Sequence, residues 1–270
     1  GVAVATVISN ALSSLFLLVK LLKTDDAIKV TPKNLKFYGE SLKEIIKIGL
    51  PSGVQGAVFA VSNIVIQSAI NTLGSTVMAA SSAAYNVEIF AYYIFNSFSQ
   101  ACTTFTGQNY GAKKYERCRK TYFVSLLEDV IATVTVVSII LLSGKFLLAI
   151  FNADKVVVDT GYDRLLFIVS SYVFSMIYEV TAGYLRGYGI SLTPAILTTI
   201  GVCVVRIIWI ATVFPVYGTF RSILAAYPIS LSLTAIMMVI TAIIVHPSAR
   251  KIAQSKKQNA TDEATEKEVA

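Results

Sequence analysis

Long apolar blocks constrain this sequence more than any other feature. Seven of them, at about 1–22, 44–71, 76–106, 120–143, 160–186, 190–214 and 222–246, run with scarcely a charge. About 20 apolar residues span the roughly 30 Å hydrocarbon core of a bilayer as a helix, and these blocks reach that length. Composition agrees. Residues are 55 % hydrophobic and only 14 % charged, whereas roughly a quarter of an ordinary soluble domain is charged. The expected fold is all-α, a polytopic membrane protein of about seven transmembrane helices.

Basic residues orient the blocks, because cytoplasmic loops are enriched in Lys and Arg. One side collects Lys20 to Lys47, Lys113 to Lys120, Arg186 and the tail from Arg250 to Lys267, eighteen basic residues against four on the other side. The four are Lys145, Lys155, Arg164 and Arg221. The linker 23–43 and the tail 247–270 are therefore expected in the cytoplasm, with Gly1 outside. The tail, rich in Lys, Gln, Thr and Glu, is expected to be disordered. The chain opens without Met or a signal pattern, so a missing upstream portion is expected. The net charge of +7 reflects these loops rather than a nucleic-acid surface.

Cys102, Cys118 and Cys203 have no CxxC spacing, so neither a disulfide framework nor a metal site is implied. His246, beside Pro247 at the end of the last block, reads as an interfacial residue. No phosphate-binding loop, HExxH or nucleophile elbow is present, so no enzyme and no cofactor is expected.

Polar groups inside a bilayer are costly and mark function by default. The second block carries Pro51, where a kink is expected, and then Gln55, Phe59, Asn63, Gln67 and Asn71 at four-residue spacing on one helix face. That face meets either a water-filled cavity or polar groups of neighbouring helices. Away from the block ends, five charged residues lie within the blocks: Glu88, Glu128, Asp129, Glu179 and Arg206. At 1.5 Å per residue, Gln55, Glu128 and Glu179 fall roughly 10–12 Å from the cytoplasmic edge, and Asn63, Arg206 and Glu88 roughly 20–27 Å. Arg206 is expected to pair with Glu88, since an unpaired buried arginine is strongly destabilising. Glu179, among Tyr172, Ser175, Tyr178 and Thr181, has no obvious basic neighbour at its depth and is the candidate coupling acid. Glu128 and Asp129 point about 100° apart, so only one of them easily faces a cavity. Tyr92, Tyr93, Phe95 and Phe98 after Glu88 suit either lipophilic cations or plain aromatic packing.

Several fragments then resemble the multidrug and toxic compound extrusion (MATE) family. Gly49-Leu50-Pro51 resembles the start of the first helix of its C-terminal lobe. Phe98-Ser99-Gln100-Ala101 through Gly107-Gln108-Asn109-Tyr110-Gly111-Ala112 is similar to its SQA…GQNxGA pattern. Phe151 through Asp154 to Leu165, and Leu185-Arg186-Gly187-Tyr188-Gly189 followed by Pro194 and Arg206, are similar to later runs. The resemblance covers roughly 40–246 in order and spacing. It implies that 1–22 is the last helix of an otherwise missing N-terminal lobe, 23–43 the inter-lobe linker and 44–246 a six-helix C-terminal lobe.

The resemblance also implies an antiporter, coupled to H+ or Na+, that exports small organic, often cationic, compounds across the cell membrane by alternating access. Where some family members carry acids, this chain has Phe59 and Ser175, which puts a sodium site in this lobe in doubt. Alternatives are a lipid-linked sugar flippase of the same superfamily, a seven-helix receptor, or a membrane subunit binding a partner. Candidate transport residues are Glu179, Glu88, Gln55, Asn63, Ser175, Tyr178, Arg206 and Glu128.

Overall fold

The computed structural model describes residues 2–25, 28–32, 36–245 and 247; His246 and, beyond Pro247, the tail expected to be disordered lie outside the described residues. Two units are distinct, Gly1–Ile46 and Lys47–Ala270. The first is built on α1 (Val2–Lys23), whose 22 residues extend about 33 Å. Its side chains are exposed along nearly its whole length, Val7, Leu15 and Phe16 among them, and Lys20 and Lys23 occupy its last turn. Thr6, Ser9, Asn10, Ser13 and Ser14 share one face, and the apolar side chains that cover the rest of the helix suit lipid and not water.

Long helices joined by short turns build the second unit, whose first residue, Lys47, already lies within a helix. Helix α2 (Gly39–Asn71) starts several residues before the apolar block and runs unbroken through Pro51. A sharp turn at Gly74, whose φ of +97° suits a residue without Cβ, leads into α3 (Ser75–Gly111). Ala112 to Lys114 then connect to α4 (Tyr115–Phe151). The helix runs past the fourth apolar block, which ends near residue 143, as far as Phe151, because that end has a surface to pack on. Gly144 lets Tyr162 approach, and the Tyr162 hydroxyl donates to the Leu141 carbonyl at 2.9 Å. Lys145 and Asp159 pair at 2.6 Å at this end.

All three remaining blocks are interrupted. The fifth is a bent pair, α5 (Lys155–Ser170) and α6 (Tyr172–Gly187), meeting at 41° across Ser171. Asp154 caps α5 by accepting from the Val156 N–H at 2.8 Å. The sixth comprises α7 (Leu192–Thr198), a π-helical stretch (Thr199–Val204), α8 (Val205–Thr212) and α9 (Phe214–Tyr217). The seventh is α10 (Phe220–Leu224) and α11 (Ala226–Val245). Among the described residues, five helices or helix runs are long and apolar enough to cross a membrane, six with the bent pair. Helix α3 is long enough, at 37 residues, but its Ser, Thr, Asn and Gln content keeps it out of that set.

The core is organised about α6, which buries eleven of its sixteen residues against α3, α4 and α11. Its seam with α3 is close to backbone contact. A Cβ added to Gly183 would lie 2.5 Å from the Ser99 carbonyl oxygen, and one on Gly187 would lie 2.6 Å from Thr106 Cβ. Ser99 donates to the Glu179 carbonyl at 2.7 Å, and Thr103 to the Gly183 carbonyl at 3.1 Å. Small residues four apart are how membrane helices approach closely, since lipid supplies no hydrophobic drive to hold them together. A second close approach sets Gly201 of the π-helical stretch against Thr234 and Met237 of α11.

Gly183→Val is expected to abolish the monodisperse peak of detergent-solubilised protein in size-exclusion chromatography. Ser99→Ala removes one hydrogen bond worth about 0.6–2 kcal/mol and is expected to keep that peak with a lowered melting temperature.

Candidate functional site

Within the second unit a cavity of about 770 Å³ opens between α2, α3, α5, α6, α8 and α11. The polar stripe predicted on α2 forms one wall: Gln55, Phe59, Asn63 and Gln67 all line it. Gln55 also donates to Thr198 Oγ1 at 2.8 Å, tying α2 to the end of α7 just before the π-helical stretch. Glu88, Ser175, Tyr178, Glu179 and Arg206 line it too, with the aromatic rings of Tyr92, Tyr93, Tyr172 and Tyr227. Seven of the eight residues singled out from sequence therefore share one cavity.

Glu128 is the exception. No residue of α4 lines the cavity; Glu128 is exposed on the helix surface while its neighbour Asp129 is fully buried. Thr133 donates to Asp129 Oδ1 at 2.8 Å, and Oδ2 has no protein partner among the described residues. Of the two adjacent acids, the one turned inward is Asp129, and hydropathy alone carries no signal of helix rotation to tell them apart.

The expected pairing of Arg206 with Glu88 is not what the structure shows. Glu88 is held by Arg164, through Nε to Oε2 at 3.2 Å and Nη2 to Oε1 at 2.5 Å, and Arg164 Nη1 also donates to Ser81 Oγ at 2.6 Å. Both side chains are almost entirely buried. Two parallel charge-assisted bonds with matched fork geometry are the strongest form such a pair takes. In the sequence Arg164 groups with the outer loop, because the polar stretch before it reads as connection. Since α5 begins at Lys155, Arg164 lies about 14 Å into the helix, at nine residues of 1.5 Å each.

Glu179 is not alone either. Arg186, two turns further along α6 on the same face, reaches its Oε2 at 3.4 Å. In the sequence Arg186 falls with the basic residues of the cytoplasmic loops, yet its long side chain turns back into the cavity. Arg206, 7 % exposed, donates from Nε to Ser230 Oγ at 2.9 Å and stacks on the Tyr227 ring at 4.1 Å. The Arg164 guanidinium approaches the same ring at 6.0 Å. Among the described residues no three of His, Cys, Asp and Glu gather as metal ligands.

A profile of the MatE family matches residues 51–212, well over half of the chain. The chain belongs to the MatE family. It is 26 % identical over 211 residues to the probable multidrug resistance protein NorM of Thermotoga maritima, covering 77 % of this chain and 44 % of that one. It is 33 % identical over 144 residues to human multidrug and toxin extrusion protein 1, covering 53 % of this chain and 25 % of that protein. A crystal structure of a MATE in complex with MaL6 superposes with a TM-score of 0.81 at 22 % identity, over 94 % of this chain and 57 % of the other, which shows the shared fold. The chain thus spans about half the length, or less, of the relatives it matches. It is a multi-pass membrane protein of a family whose named members are export and resistance proteins, not enzymes.

Arg164→Met is expected to leave the Glu88 carboxylate buried without a partner and to destabilise the MatE protein by about 3–5 kcal/mol. Replacing both Glu88 and Arg164 with Met removes the two charges together. Thermal unfolding is expected to place that double variant nearer the wild type than either single substitution.

Proposed function

We propose that this chain is the C-terminal lobe of a cation-coupled antiporter that exports organic compounds by alternating access, working against a second lobe. The observation that carries this reading is the 770 Å³ cavity, in which carboxylates, guanidiniums and aromatic rings converge inside helices long enough to cross a membrane. Its size suits a drug-like molecule. The multidrug export relatives support the same activity.

Glu179 is the coupling residue in this proposal, with H+ or Na+ as the ion. Its contact with Arg186 is single and long, 3.4 Å, whereas Glu88 is gripped by two bonds of one guanidinium. A carboxylate held this loosely is free to exchange its arginine for a proton or a sodium ion without dismantling the helix packing. Gln55, Asn63, Ser175 and Tyr178 supply neutral polar groups to substrate. The linker 23–43 and the tail from residue 247 face the cytoplasm, and the protein resides in the cell membrane.

In cells expressing the full-length protein, Glu179→Gln is expected to lower dye export severalfold, while Glu128→Gln, altering a group outside the cavity, leaves export near the wild-type rate. Equal export by the two variants would overturn the coupling role. The intact mass of the protein as the cell makes it, beside its reading frame, tells whether both lobes are on one polypeptide.

A further inference from the structure

The charges lining the cavity do not balance. Three arginines, Arg164, Arg186 and Arg206, face two glutamates, Glu88 and Glu179. Each glutamate is already matched to an arginine of its own. Arg206 has no carboxylate among the described residues, and its one hydrogen bond to protein there runs from Nε to Ser230. Its terminal nitrogens, with four N–H donors, therefore have no protein acceptor there, although the side chain is more than nine-tenths buried and lines the cavity. The buried acid Asp129 lies in the packing of α4 and not on the cavity wall.

The arginine is also carefully aimed. The π-helical stretch directly precedes it and shifts the register of the residues that follow by one position relative to an α-helix. Gly201 lets α11 close on that stretch, bringing Tyr227 and Ser230 beneath the guanidinium. The ring face and the serine fix the orientation of the cation without neutralising it.

Resting on the antiporter reading, we propose that Arg206 binds an anionic group, such as a carboxylate, of the transported compound. The cavity then selects aromatic anions or zwitterions over simple organic cations. The guanidinium offers two parallel donors to the carboxylate, and Tyr172 and Tyr227 supply aromatic surface beside it.

The test uses the purified full-length protein in phosphatidylcholine nanodiscs, with two fluorescent probes that differ in charge: 1-pyrenebutyrate and 1-pyrenebutylamine. Wild type is expected to bind the carboxylate more tightly than the amine. Arg206→Gln is expected to weaken the carboxylate by roughly ten- to a hundredfold and to leave the amine unchanged or tighter. Arg206→Lys, which keeps the charge but not the fork, is expected to fall between, and it keeps the test decisive if Arg206→Gln does not fold. A wild-type preference for the amine would mean that the guanidinium is already neutralised by another group, and would overturn the assignment. So would loss of pyrenebutyrate binding when phosphatidylglycerol is added to the disc, because the occupant would then be a lipid headgroup. Export of both probes without discrimination refutes this assignment alone. Selective binding with no export by the full-length protein refutes the antiporter reading and leaves the site standing.

Discussion

The near-backbone contact between α3 and α6 is the constraint on which the rest of the second unit depends. Gly183 and Gly187 leave no room for a side chain, and Ser99 and Thr103 fill the seam with hydroxyls bonded to α6 carbonyls. In lipid the seam is held by van der Waals contact and hydrogen bonds, so any added bulk separates the helices. Its position fixes the cavity, because α3 carries Glu88 and α6 carries Glu179 and Arg186. The 41° bend at Ser171 then lets α5 and α6 contribute to different parts of the same wall.

Charge in the cavity follows a hierarchy set by geometry. Arg164 grips Glu88 with a full fork and a serine, which suits a contact that holds helices α3 and α5 together. The Arg186–Glu179 contact spans two turns of one helix, so breaking it disturbs no helix–helix packing. Arg206 rests on a tyrosine ring, an attraction that survives desolvation but leaves the charge unmatched. A structural pair, a labile pair and an unmatched cation thus line one cavity, and their differing restraint is what divides their roles.

Much of this was legible in the sequence. Block length gave the spans, and polar residues inside the blocks located the cavity, because lipid tolerates neither Glu88 nor Glu179 nor Arg206 unaccompanied. Partners were not legible. Which face of a helix meets which neighbour depends on rotation and depth, and hydropathy averages over both. Arg164 is hidden by its position, because a polar stretch at a helix start looks like a loop, and Arg186 because a terminal arginine looks solvent-facing. Glu128 and Asp129 look alike in the sequence, where only a rotation of about 100° separates them. Gly187 belongs to a run that resembles the family, and its spacing of four from Gly183 states the packing more directly.

Asp129 has one further consequence, for biogenesis. Helix α4 carries this buried acid into the membrane, and the chain is made from its N-terminus, so α4 is synthesised before α5 and α6, on which it packs. During that interval the carboxylate has its Thr133 hydrogen bond, but α4 lacks the packing that α5 and α6 supply. Transfer of α4 into lipid is therefore less favourable before those helices emerge, which ties the insertion of one helix to the synthesis of others. The α3–α6 seam and the α4 acid together make this lobe a unit whose helices settle jointly rather than one at a time.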